Sequence, residues 1–149
     1  MTPYTFPIQI RWSDIDANNH LRHSVYFDYA AAMRIKLLSD YGLTTLKLDE
    51  FRIGPILFRE EALFKKEVRM EDAVALDVEI YKATANYSRW SLRHNFYKNG
   101  DMLCAIVNID GAWMDLDKRK LAVPVDTIIH AFDQFPKSAD FELIQPKLK

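Results

Sequence analysis

Apolar and other residues alternate at the start of the chain, through Phe6, Ile8, Ile10 and Trp12. This is the period of a strand with one buried face, and Pro7 places it at a sheet edge or a strand start. From about Ser24 to Tyr41 the spacing changes to three and four, through Tyr26, Ala30, Met33, Leu37 and Tyr41, which predicts one face of a helix, with Gly42 as its stop. The triplet Ala30-Ala31-Ala32 joins high helix propensity to small bulk, so a sheet can approach it closely on more than one side. A short second segment covers about Thr44 to Phe51. Beyond it the pattern predicts long strands over about Ile53 to Val68, Ala73 to Ala83, Ser88 to Tyr97 and Met102 to Met114. Val74, Leu76, Val78 and Ile80 alternate, as do Leu103, Ala105, Val107 and Ile109, and Asn99-Gly100 between two runs predicts a tight hairpin. The last three strands should therefore form an antiparallel meander. Asp115 to Arg119 reads as a turn, Val123-Pro124 leads into a short amphipathic helix near Val125 to Phe132, and the tail beyond Asp133 is polar and weakly patterned. The order of elements predicts an α+β fold, one principal helix against an antiparallel sheet.

Composition narrows the function classes. A chain of 149 residues suits one domain over residues 1–149 with a single core. Its formal net charge of -1 lacks the basic excess that a nucleic-acid surface needs to displace counterions. Cys104 is the only cysteine, so neither an intramolecular disulfide nor a multi-thiolate zinc site is available, and a reducing interior fits best. Met1 to Pro7 has neither the basic residues nor the apolar run of a secretory signal, and nowhere do ~20 apolar residues run together. These features place the protein in the cytoplasm, with no membrane span.

The polar stretch Ser13-Asp14-Ile15-Asp16-Ala17-Asn18-Asn19-His20 is rich in residues that bond their own backbone, so it should be a loop leading into the helix. From Arg11 to Tyr26 the chain resembles the opening signature of the acyl-CoA thioesterases similar to 4-hydroxybenzoyl-CoA thioesterase, which runs roughly R-Y-x-D-x-D-x-x-G-H-V-N-N-x-x-Y. Arg11, Asp14, Asp16, His20 and Tyr26 match in order, and Trp12 and Leu21 are conservative replacements. Later similarities at Ile53-Gly54-Pro55, Met70-Glu71-Asp72, Ser88-Arg89 and Leu121-Ala122-Val123-Pro124 extend the resemblance over about residues 6–132. The family's glycine is Asn19 here, a residue that visits the left-handed region more easily than most. Its two asparagines are Arg22 and His23.

The resemblance implies a hotdog fold, a curved antiparallel sheet wrapped around the helix, assembled as homodimers or homotetramers with active sites at the dimer interface. It implies hydrolysis of an acyl-CoA to a carboxylic acid and free coenzyme A, with no cofactor beyond the coenzyme A of the substrate and no metal. Asp16 takes the position of the carboxylate that attacks the thioester or deprotonates water, against the plainer reading that it only bonds loop amides or favours a helix N-terminus. His23 takes the position whose backbone N–H stabilises the developing oxyanion. Among the cations that could meet the phosphates, Lys65, Lys66, Arg69, Arg89 and Arg93, the resemblance of Ser88-Arg89 to the family's strand start favours Arg89. Tyr26 and Phe58 are the candidates for an acyl lining. Glu60-Glu61 could supply a second carboxylate, although neighbours on a strand face opposite ways. Asp14-x-Asp16-x-Asn18 is not a calcium loop, since Asn19 and Val25 stand where Gly and Glu are required. Hydrolysis of an acyl-carrier-protein thioester, and binding of acyl-CoA without catalysis, are the alternatives.

Overall fold

The structure is a computed structural model that describes residues 4–145. The first three positions of the N-terminal reading and the last four of the tail lie outside it. Eight strands form one sheet: β1 (Thr5–Ile8), β2 (Ile53–Phe64), β3 (Val74–Asp77), β4 (Glu79–Ala83), β5 (Arg89–Lys98), β6 (Met102–Asp115), β7 (Lys120–Ala122) and β8 (Lys137–Leu143). Three helices accompany it: α1 (Val25–Asp40), α2 (Thr45–Phe51) and α3 (Asp126–Asp133). β5 is central, pairing with β6 on one side and with β3 and β4 on the other, and β2 follows β6. β1 extends β3, β8 extends β4, and β7 folds back on the end of β6.

α1 buries Val25, Tyr26, Ala30, Met33, Leu37 and Leu38 against this sheet, the face that the helical spacing predicts. The close approach is made at fully buried Ala30. Ala31 is half-buried and Ala32 points outward. Gly42 (φ 85) ends the helix in the left-handed conformation, and the Leu43 N–H closes on Leu38 O at 2.8 Å. The Thr44 side chain then caps α2 by accepting the Lys47 N–H. The hairpin at Asn99 (φ 51) and Gly100 (φ 109) takes two left-handed residues, as Asn-Gly predicts.

Five expectations change. The first strand ends at Ile8 instead of running through Ile10 and Trp12, and Trp12 is exposed at the start of a 3-10 turn over Trp12–Asp14. The strand from Ile53 stops at Phe64 rather than Val68, because Lys65 and Lys66 both turn their N–H groups onto Cys104 O, which ends the ladder. The run from Ala73 to Ala83 breaks at Val78 into β3 and β4. A β7 hairpin arm forms at Lys120–Ala122. Part of the tail, Lys137–Leu143, is strand β8, parallel to β4 in an otherwise antiparallel sheet.

Two local irregularities of the sheet decide where its side chains lie. Gly111 pairs with Trp90, and a Cβ there would sit 2.4 Å from the Trp90 ring and 2.7 Å from Ile56 O; the missing side chain lets the indole lie across the strand. In β2 the register shifts between Leu57 and Arg59, a bulge that resets the alternation. After it, Glu60 reaches Arg34 on α1 and Phe64 packs edge-on against Tyr26. The outer edge of β2 has no partner strand among the described residues.

Candidate active site

The loop between β1 and α1 is held from inside by Asp14, which is fully buried. One carboxylate oxygen accepts the Arg11 N–H at 3.0 Å and the Tyr29 hydroxyl; the other accepts Arg11 Nη2 at 3.0 Å. The Asp14 carbonyl accepts the Arg22 N–H at 2.7 Å, and Arg22 braces the far side through Ser13 O (3.1 Å) and Ser24 Oγ (3.1 Å). Where the family pattern has asparagine, this arginine is a structural strut. Burial alone would push the Asp14 carboxyl up; the Tyr29 hydroxyl and the Arg11 contacts outweigh it and hold the group below the ordinary carboxylate range.

Asp16 sits two residues on, at the neck of a tight turn. Its N–H bonds His20 O at 2.9 Å and its carbonyl accepts the Asn19 N–H at 3.1 Å. Asn19 is left-handed (φ 62), so the position of the family glycine keeps the conformation that a glycine would favour. Asp16 Oδ1 accepts the N–H groups of Asn18 (2.8 Å) and His20 (3.2 Å), while Oδ2 is without a hydrogen-bond partner among the described residues. The His20 N–H, followed by that of Asn18, lowers the Asp16 pKa, so the group is ionised at neutral pH with one oxygen uncommitted.

That residue helps to line a cleft of about 320 Å³ with His20, His23, Tyr26, Lys65 and Lys66. Its far wall is tied to the loop by Leu21 N–H to Val68 O at 2.7 Å and by His20 Nε2 to Glu67 at 2.9 Å. His23 lies one residue ahead of the N-cap Ser24, in a turn closed by the Val25 N–H on Arg22 O, rather than inside the first helical turn. Its own N–H is unpaired among the described residues, which leaves a backbone donor uncommitted on a residue that lines the same cleft as Asp16. Tyr26 is buried between Phe64 and Phe96, and burial raises its pKa.

The remaining sequence candidates are not brought into this cleft within one chain. Phe58 and Arg89 stack on each other, the guanidinium 5.2 Å from the ring centre, in a separate depression with Tyr81 and Lys82. Ser88 lies in a neighbouring hollow with Thr84 and Asn86. Arg93 is committed to Asp140, both contacts at 3.1 Å, and Arg69 turns to Glu67. Glu60 and Glu61 face opposite ways, Glu60 toward Arg34 and Glu61 toward Asn108 and Arg59. The cleft-lining roles of Lys65 and Lys66 follow from the early end of β2, which strand periodicity does not signal. Among the described residues, no group of three His, Cys, Asp or Glu side chains is placed to hold a metal, and no helix is long and apolar enough to cross a membrane.

Comparison with solved structures finds this architecture repeatedly. A hypothetical protein from Staphylococcus aureus in complex with CoA superposes with a TM-score of 0.80 at 16% identity, covering 91% of this chain and 87% of that one. A 1,4-dihydroxy-2-naphthoyl-CoA thioesterase from Synechocystis gives 0.77 at 16% identity, covering 87% and 95%. A DHNA-CoA thioesterase from Staphylococcus aureus gives 0.77 at 14% identity, covering 87% and 88%. At such identities these likenesses establish the fold. No curated protein sequence matches the chain. The family model of the thioesterase-like superfamily matches residues 10–139, a span that holds the whole Arg11 to Tyr26 signature, all three helices and strands β2 to β7. The chain is a hotdog-fold member of the thioesterase-like superfamily, a thioester hydrolase.

Proposed function

We propose that the chain hydrolyses an acyl- or aryl-CoA thioester to the carboxylic acid and free coenzyme A, with Asp16 as the reacting carboxylate. The observation that carries this is the uncommitted Oδ2 of an ionised Asp16 in a cleft also lined by His23, whose backbone N–H is unpaired among the described residues. The carboxylate attacks the thioester carbonyl carbon, or takes a proton from a water that does so; either role needs the ionised form that the loop amides stabilise. As the carbonyl oxygen gains charge the His23 N–H donates to it, and the C–S bond breaks to release the coenzyme A thiolate, which takes up a proton; where Asp16 is the nucleophile, water then cleaves the acyl anhydride to free the acid and the carboxylate. Lys65 and Lys66 at the same cleft suit the phosphates of coenzyme A, and Tyr26 offers an apolar wall to the acyl group. No cofactor enters this scheme beyond the substrate's own coenzyme A.

The reading includes a homodimer or a homotetramer. The 12-residue edge of β2 carries exposed Phe58, Leu63 and Phe64, and an unpaired apolar edge of that length is a template for strand addition by a second copy. Pairing there would be the means of bringing Phe58, Ser88 and Arg89 toward a partner's cleft. Free-thiol release across acyl-CoA chain lengths and an aryl-CoA tests the activity. Asp16→Asn keeps an oxygen for the Asn18 and His20 amides, so the variant should fold and bind coenzyme A normally while turnover falls by a factor on the order of 100 or more. Near-normal turnover would overturn the assignment.

A further inference from the structure

A second cavity, of about 180 Å³, lies beneath the middle of α1. It is distinct from the Asp16 cleft: Arg34, in its wall, is ~12 Å along the helix axis from Tyr26. Ala31, Leu38, Leu57, Trp90 and Trp113 contribute to its lining, and its size is near that of a cavity of ~150 Å³ that accommodates a benzene ring.

The polar side chains in this wall all point to one ligand chemistry. Arg34 is only 13% exposed, and burial lowers its pKa. Its one hydrogen bond among the described residues joins Nη1 to His94 Nε2 at 3.2 Å. His94 is fully buried and its pKa is pushed down to about 3, so the ring is neutral. Because a guanidinium can only donate, Nε2 is the acceptor, and the proton sits on Nδ1, which donates to Asp77 O at 3.2 Å. The Glu60 oxygen is 3.9 Å from Nη2, beyond hydrogen-bond distance. A largely buried cation with five donors thus makes one hydrogen bond, to a neutral partner, and a looser ion pair with Glu60 that satisfies none of the other donors. Trp90 and Trp113 also contribute to the lining, and their indole N–H groups are buried without a hydrogen-bond partner among the described residues. The guanidinium and the two indoles have no acceptor capacity. A buried donor is costly unless paired, and what completes the guanidinium from an otherwise apolar cavity is an anionic acceptor on an apolar body.

We propose that this cavity binds an apolar molecule bearing a carboxylate, a short fatty acid or an aryl carboxylic acid, with the carboxylate on Arg34. Such a carboxylate comes either from a free acid or from the far end of a dicarboxylic acyl group carried as its thioester. The site stands independently of whether Asp16 hydrolyses a thioester.

Trp12 is 77% exposed and is the only tryptophan of the three outside this wall, so a Trp12→Phe background leaves emission from the cavity indoles alone. Titration with octanoate and with phenylacetate should give saturable changes in emission, and octanol and octylamine should bind at least ~10-fold more weakly, since they lack the charge that strengthens a hydrogen bond to the guanidinium. Arg34→Gln keeps a donor for His94 but removes the charge, and should weaken both acids about 10- to 100-fold. Ala31→Leu fills the space and should do the same; if Arg34→Gln does not fold, this variant decides. The proposal is overturned by equal affinity for octylamine, by unchanged binding in either folded variant, or by no response to both acids up to about 10 mM, where even weak sites report. The source is settled by kinetics. If Arg34→Gln raises KM only for an acyl-CoA with a terminal carboxylate, the occupant is the acyl group; if KM is unchanged and only the binding of free acids is lost, it is the free acid. Asp16→Asn should bind the acids as wild type does, so a failure of the catalytic assignment leaves this titration intact.

Discussion

Asp14→Asn isolates how the loop is held from what it does. Its carboxylate accepts the Tyr29 hydroxyl, the Arg11 N–H and the Arg11 guanidinium, all from full burial. The Arg11 side chain is 68% exposed, so that ion pair belongs to the surface class worth about 0–1 kcal/mol. The other two bonds reach an ionised acceptor, at about 1.5–3 kcal/mol each, and an amide oxygen preserves part of them. The net loss is about 2–3 kcal/mol, a fall in Tm of roughly 5–10 °C for a domain of this size. The folded-state pKa of Asp14 is depressed, so its contribution is present above the unfolded value of about 3.9 and is lost as pH falls through the folded value. Thermal melts of both proteins should therefore differ most near neutral pH and converge below about pH 4. Turnover should fall far less than in Asp16→Asn, because no oxygen of Asp14 faces the cleft. A gap under about 0.5 kcal/mol at neutral pH, or one that persists unchanged well below pH 4, would refute this account.

Gly111→Ala should cost about 3 kcal/mol or more, since the new Cβ meets Ile56 O at 2.7 Å as well as the movable Trp90 ring and backbone has little room to yield; a denaturant curve matching wild type would contradict the β2–β6–β5 register. His23→Ala should retain much activity, whereas His23→Pro, placed at the second position of the Arg22–Val25 turn where proline is favoured, should lower turnover ~100- to 1000-fold while still melting cooperatively. If a folded His23→Pro keeps wild-type turnover the oxyanion role fails, and if His23→Ala loses as much, the ring is the active part. Light scattering at micromolar concentration should give a dimer or tetramer mass, reduced toward the monomer by Leu63→Lys on the β2 edge; a monomeric wild type would contradict the interface reading.

What the sequence makes legible is what local spacing controls. The α1 face, the Gly42 stop, the Asn99-Gly100 hairpin and the left-handed Asn19 all depend on residues within a few positions of one another, so period and turn chemistry reveal them. β8 does not arise that way. Of its seven residues only Ser138 is buried, and its conformation comes from the β4 edge it joins. The same holds for the second cavity, where Arg34 and His94 are 60 positions apart and each, taken alone, reads as an ordinary polar residue. Phe58 illustrates the converse: its apolar type suggests a lining residue, but the bulge beside it sends it to the depression with Arg89, which no periodicity could indicate.

Asp14 and Asp16 are chemically identical and two residues apart, so their different roles must lie in which lone pairs the fold leaves free. At Asp14 both oxygens are taken, by a helix hydroxyl and by the chain just upstream, and the residue joins β1, the loop and α1 as one unit. At Asp16 the two amides of Asn18 and His20 converge on one oxygen, which fixes the carboxylate without satisfying it. The His20 side chain extends that restraint to the opposite wall through Glu67. An ionised group held on one oxygen and bare on the other needs no rotation and little desolvation before it meets an electrophile, which is the condition under which orientation lowers a barrier. On the proposed catalytic role, the Asx turn that would by itself be only a structural use of Asp16 is the means by which the loop aims it.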